Sequence, residues 1–183
     1  NGCSSAVYGE HLQPNSETGT PPSPTTEYGR SRYCQERLID YFCVTRGSRG
    51  IYLRYMHANS VKRGYVRRTA EKIIKGESIG DDPDARIQVI GIEDTVRMTR
   101  MAADRVDNPP EVVNCCHPRS WTKRELAEAL LKKLGRGEVV FDVGTGGVEK
   151  SRYADTTKMV EWFGEPEVPV QTILDRVVED INS

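Results

Sequence analysis

A hydroxyl, a phenol and a cation are the groups of this sequence whose spacing could serve one reaction. Ser4 and Ser5 stand in C-S-S-A-V-Y-G-E-H, which reads as the end of a buried strand opening into a polar loop. Tyr28 and Arg32 stand in E-Y-G-R-S-R-Y-C-Q-E-R-L, four residues apart and so on one face of a helix. A phenol of ordinary pKa about 10 becomes an acid/base near neutrality only if positive charge stabilises its anion. A serine hydroxyl beside it would hold the reacting oxygen. Proton transfer coupled to hydride transfer needs such a trio. The Tyr-x-x-x-basic spacing alone carries nothing, since Tyr33 and Arg37 satisfy it too. Its weight comes from the serines upstream, and the plain alternative is a helix-start aromatic after a strand-end turn.

The elements that would position these groups follow in order. A loop with prolines at 14, 21, 22 and 24 separates the serines from a helix over about Thr26 to Arg46. Thr26 caps that helix, Glu27 suits its first turn, and Gly47 to Gly50 ends it. Cys34, Leu38, Tyr41 and Phe42 recur along it at helical spacing, a stripe that one buried face would explain. Ile51 to Met56 reads as a buried strand. Val61 to Lys75 reads as a basic amphipathic helix closed by Gly76. Its Lys62, Arg63, Arg67 and Arg68 suit either a phosphorylated ligand or a solvated face.

Farther on, D-D-P-D at 81–84 is a turn without the ligands or glycine of a calcium loop. A strand is expected over Ile87 to Ile92. A helix is expected over Glu93 to Val106, with Val96, Thr99 or Arg100, and Ala103 at its spacing. E-V-V-N-C-C at 111–116 and Glu138 to Val143 read as strands. The helix over 122–134 turns Leu126, Ala129, Leu130 and Leu134 inward, and Gln171 to Ile181 forms the terminal helix. G-T-G-G at 144–147 opens no helix in the manner of a phosphate loop and reads as a turn.

The totals bound the function. The chain has 183 residues, enough to bury a core, with 37% hydrophobic and 29% charged residues. A net charge of −1 gives no electrostatic case for nucleic acid or an anionic membrane, and three Phe with two Trp make no stacking platform for single strands. The five cysteines, Cys3, Cys34, Cys43, Cys115 and Cys116, lack C-x-x-C spacing, so free thiols in a cytoplasmic protein are expected, with neither disulfide framework nor metal site. No apolar run is long enough to span a bilayer as a helix.

S-S-A-V-Y-G, a Pro-containing loop and then Tyr-x-x-x-basic on a helix resemble the extended short-chain dehydrogenase/reductases. The resemblance is to the NAD-dependent epimerase/dehydratase family acting on nucleotide sugars, and it runs in order along the whole chain. It implies that Ser4 is the catalytic serine, Tyr28 the catalytic tyrosine, and Arg32 the successor of the family's lysine. In the family that lysine bonds the nicotinamide ribose and lowers the tyrosine pKa, so Tyr28 and Arg32 also become the cofactor contacts. Arginine keeps the charge but not the compact ammonium. Where the family carries R-Y-F-N, with the Asn on the substrate phosphates, this chain has Arg54, Tyr55, Met56 and His57; His57 or Asn59 would substitute, and Ser5 joins them. The family's nucleotide-contacting Arg of R-D-x-I-x-V-x-D corresponds to Ile87, with Arg86 one residue early, and its Asp to Asp94. A one-residue slip turns a strand side chain to the other face.

The implied fold is α/β: a partial Rossmann-like parallel sheet, the C-terminal half, with a small α+β substrate domain. Residues 1–60 would carry the catalytic Ser and Tyr. Residues 61–183 would be mainly substrate-binding, with short strands around 87–92 returning to the core. NAD or NADP is the implied cofactor and a nucleotide sugar the implied substrate. The G-x-x-G-x-x-G turn that seats the pyrophosphate does not occur in the sequence, so roughly 90 residues of βαβ units are expected outside it. The strands here would then have exposed edges and one uncovered apolar face, covered by a homodimer partner or another protein. The expected activity is NAD(P)-dependent epimerase, dehydratase or reductase chemistry. The alternative, motivated by Arg32, His57, Ile87 and the absent glycine turn, is a non-catalytic relic or protein-binding module of the same fold.

Overall fold

The structure is a computed structural model that describes residues 2–9, 13–80, 82–142 and 153–183. The G-T-G-G segment at 144–147 lies outside the described residues. Strand β1 (Gly2–Ser4) ends in a 3-10 turn over Ser5–Val7, and after the proline loop comes α1 (Glu27–Arg46). Thr26 caps α1 by accepting a hydrogen bond from Gly29 N at 3.1 Å, and Gly47 ends it at φ 63°. Strand β2 (Ile51–Tyr55) follows, and β6 (Glu111–Cys115) completes a parallel sheet of order β1-β2-β6. Central β2 pairs Cys3 with Arg54 on one side and Arg54 with Asn114 on the other.

The period of two along a strand sorts this sheet into unlike faces. Ile51, Leu53, Val113 and Cys115 form a buried cluster with Ile90, with Met98 and Ala102 of α3 (Ile92–Ala102), and with Met159 and Phe163 of α5 (Thr157–Phe163). Cys3, Tyr52, Arg54 and Asn114 point the other way, and Tyr52 and Arg54 bond to α1. A second buried cluster joins α2 (Tyr65–Lys75), α4 (Lys123–Leu134) and α6 (Val170–Asn182) through Ile73, Leu130 and Leu174. In α4, Thr122 accepts from Glu125 N while the Glu125 carboxylate accepts from Thr122 N, a reciprocal cap.

Several expectations need correction. Both faces of the three-stranded sheet are covered, so the exposed apolar surface is not on the sheet. Among the described residues it lies on α1, where Leu38, Tyr41, Phe42 and Val44 are exposed and Cys34 with them, and on α3, where Ile92, Val96 and Met101 are exposed. The residues that α1 buries are Gly29, Glu36 and Cys43. In α3 the buried row is Asp94, Met98 and Ala102, because Asp94 accepts from the Glu167 and Val168 amides; Val96 is exposed.

The strand expected over Ile87 to Ile92 is split. β4 (Arg86–Ile87) pairs antiparallel with β7 (Trp121–Thr122), and β5 (Ile90–Gly91) pairs parallel with β3 (Ala58–Asn59), so the chain changes partners between them. At Val140 there is a single bridge to Ser78 in place of the strand expected over 138–143, whose last residue lies outside the described set. Helix α2 begins at Tyr65 and not at Val61, because Ser60 and Arg63 form a turn and Gly64 enters at φ 124°. All five cysteines are free.

Candidate functional site

A cleft of about 630 Å³ opens where β1, the start of α1 and the end of β2 meet, and Ser4, Ser5, Tyr28 and His57 all line it. The local chain explains the meeting. Ser4 Oγ accepts from Ala6 N at 3.2 Å, which folds the strand end into its 3-10 turn and leaves the hydroxyl hydrogen able to donate. Gly29 lets α1 come in against that turn: a Cβ there would lie 2.4 Å from the Ala6 carbonyl oxygen. Tyr28, one residue earlier, is therefore held over the cleft, with 53% of its surface open.

Arg32 lies beside it. Its guanidinium carbon is 5.0 Å from the Tyr28 ring centroid, and Nη1 donates to Gln35 Oε1 at 3.0 Å. The cation sits on the ring face, where the aromatic quadrupole attracts it. Cys3 and Tyr55 also line the cleft but offer no acid/base group near neutrality. Burial, reinforced by Glu36, pushes the Cys3 thiol up to about 12. Burial likewise raises Tyr55, whose hydroxyl donates to the Thr95 carbonyl at 3.0 Å.

The four expected substrate contacts are not alike. Ser5 and His57 face the cleft. His57 takes φ 29°, and its ring lies 5.1 Å from that of Tyr65. Asn59 is buried, its amide donating to the His57 carbonyl and its Oδ1 accepting from Val66 N at 2.9 Å. It caps α2 from outside the helix, and Gly64 must be glycine because a Cβ there would meet Asn59 Oδ1 at 2.4 Å. Arg86 is exposed and donates to Ser120 Oγ at 2.9 Å, away from the residues lining this cleft.

Arg68 is a functional candidate that sequence reasoning left in a group of four. It alone of the four lines the cleft. Lys62 and Arg67 both turn to Asp180 of α6, at 2.5 and 2.6 Å, and their hydrogen bonds hold its carboxyl below the usual range. The signal was the helix period: Val66, Thr69, Ala70 and Ile73 are buried, which leaves Arg68 outward on the first turns of α2. Among the described residues no cluster of three or more His, Cys, Asp or Glu could hold a metal, and no helix is long and apolar enough to cross a membrane.

Residues 1–116 match the NAD dependent epimerase/dehydratase family. A putative UDP-glucose 4-epimerase of Methanocaldococcus jannaschii is 25% identical over 94% of this chain and 59% of its own length. The crystal structure of UDP-glucose 4-epimerase with UDP-glucose from Thermotoga maritima is 26% identical, with a TM-score of 0.83 over 99% of this chain and 62% of that one. UDP-glucuronic acid 4-epimerase from Bacillus cereus, in complex with NAD, shares the fold at 18% identity, with a TM-score of 0.82 over 100% of this chain and 61% of that one. The chain spans about three fifths of the length of these relatives. The match covers the strand-end serines, the helix of Tyr28 and Arg32, and the whole three-stranded sheet, so this chain belongs to the NAD dependent epimerase/dehydratase family.

Proposed function

We propose that this chain supplies the catalytic and substrate-binding groups of an NAD(P)-dependent epimerase acting on a nucleotide-linked sugar. The observation that carries the reading is the convergence of Ser4 and Tyr28 on one cleft, with the Arg32 guanidinium on the Tyr28 ring. Ser4 would donate a hydrogen bond to the sugar oxygen, and Tyr28 would take and return its proton. Arg32 would supply the positive field that stabilises the phenolate. The donor set fits the nicotinamide end of NAD or NADP, which when bound would supply the hydride acceptor and donor. No residue is assigned to the pyrophosphate, because the glycine turn that would hold it does not occur in the sequence.

Ser5, His57 and Arg68 would face the sugar phosphates across the cleft. Asn59 would act at one remove, by fixing the His57 carbonyl and the start of α2. Arg86, beside Ser120, would meet the nucleotide end of the ligand. The exposed Leu38, Tyr41, Phe42 and Val44 of α1 suit a second copy of the protein or another protein partner.

In the full-length protein supplied with NAD and UDP-glucose, Tyr28→Phe is expected to lower kcat by about 10²–10⁴-fold with sugar binding retained. Unchanged turnover would overturn the reading. It would favour a second one, in which the fold persists without catalysis and α1 serves a protein partner. Arg32 favours that second reading, since its guanidinium is stacked and tied to Gln35 where the family places a lysine ammonium.

A further inference from the structure

A buried ion pair stands beneath the cleft and outside the groups assigned to it. The side chains of Glu36 and Arg54 are 0% and 4% exposed, and they meet in a two-pronged contact, Nε to Oε1 at 2.9 Å and Nη2 to Oε2 at 2.7 Å. Glu36 follows Tyr28 and Arg32 at four-residue steps along α1, so the three form one row. Arg54 is the register partner of Cys3, the residue before Ser4. The pair therefore ties the helix that carries Tyr28 to the strands that present Ser4.

Helices usually dock by an apolar stripe, which sets their rotation about their own axis. That stripe is thin here: the inward row of α1 offers Tyr33, packed against Cys3, Val7 and Tyr8, and the buried Cys43, while Leu38, Tyr41, Phe42 and Val44 face outward. A planar fork against a carboxylate constrains direction as well as distance, which a diffuse apolar contact does not. The anchor is itself braced. Arg54 lies 4.5 Å from the Tyr8 ring centroid, and the Tyr8 hydroxyl donates to Asn114 Oδ1 at 2.8 Å. Two residues along β2, Tyr52 donates to the Glu36 carbonyl at 2.9 Å.

We propose that Glu36 and Arg54 are positioning residues: their pair sets the rotation of α1 and so aims Tyr28 at the cleft wall formed by Ser4. The proposal rests on the catalytic role given to Tyr28 above. A pair that served stability alone would be replaceable by apolar side chains of similar volume, which is often neutral or stabilising for a buried ion pair. The double variant Glu36→Met/Arg54→Met removes both charges together and separates the two roles.

In the full-length protein with NAD and UDP-glucose, the double variant is expected to keep its thermal midpoint and its KM within threefold. Its kcat should fall by about 10²-fold, the effect of displacing a reacting group by about 1 Å. Hydrogen exchange followed by mass spectrometry should show faster exchange in residues 27–37 while α4 and α6 stay as protected as in the parent. A double variant that retains kcat within twofold, with unchanged exchange over 27–37, overturns the proposal. So does a fall in kcat accompanied by faster exchange in α4 and α6, which marks a general loss of stability. If the parent protein turns over no sugar, the functional reading fails by itself, and the exchange pattern still decides whether the pair orients α1.

Discussion

On one face of the β1-β2-β6 sheet, Ile51, Leu53, Val113 and Cys115 pack against Met98, Ala102, Met159 and Phe163. On the other, Cys3, Tyr52, Arg54 and Asn114 lie among polar contacts that reach α1 and the loop after β1. The same strands supply both faces by alternation, yet the first is held by surface removed from water and the second by directed bonds. Apolar packing is tolerant of small shifts, whereas a fork against a carboxylate is not. The tolerant face carries α3 and α5; the directed face carries the helix on which Tyr28 sits.

Removing one charge from the directed face is the harshest way to break this contrast. Glu36→Leu leaves the Arg54 guanidinium buried without its counter-ion and is expected to cost about 3–5 kcal/mol in urea unfolding. The cost arises from the stranded charge, so the apolar double variant should recover most of it.

The apolar face should respond differently. Leu53 is 1% exposed in the centre of its cluster, and Leu53→Ala is expected to cost about 2–5 kcal/mol through lost transfer energy and a residual cavity. The fraction that remains folded should keep the parent kcat, because Leu53 points away from α1. Urea unfolding and kcat measured on the same preparation check both halves. A proportionate loss of kcat in the folded fraction would show that the two faces are not separable.

What could be read from the sequence divides along the same line. The caps of α1, the helix α4 and the buried strand β2 rest on short-range rules, and those elements stand where the residues put them. The inward face of α1 was not legible. Glu36 reads as a solvated charge until Arg54, 18 residues later, is brought beneath it. The apolar residues at helical spacing suggested the opposite face, and a period alone does not say which side of a helix meets the protein. The partners of Asn59 were hidden for a related reason: a polar residue after a strand looks like a ligand contact, but both ends of its amide serve backbone groups. The helix period turns Arg68 outward, but its separation from Lys62 and Arg67 needs Asp180, from the far end of the chain, to hold those two.

The outer face of α1 gives the smallest expected effect and the sharpest check on what that face is for. Leu38 and Tyr41 are 56% and 59% exposed, so neither is buried against this chain. At low protein concentration, Leu38→Ser/Tyr41→Ser is expected to change unfolding stability by no more than about 0.5 kcal/mol. Association obeys mass action, so a second copy seated on this face would make the parent's stability rise with protein concentration and leave the double variant's flat. Sedimentation of the full-length protein across a range of concentrations, beside urea unfolding at each, measures both. A loss of several kcal/mol at the lowest concentration would mean that the outer stripe is packed within the chain after all. The rotation of α1 would then be set by burial and not by the Glu36–Arg54 fork.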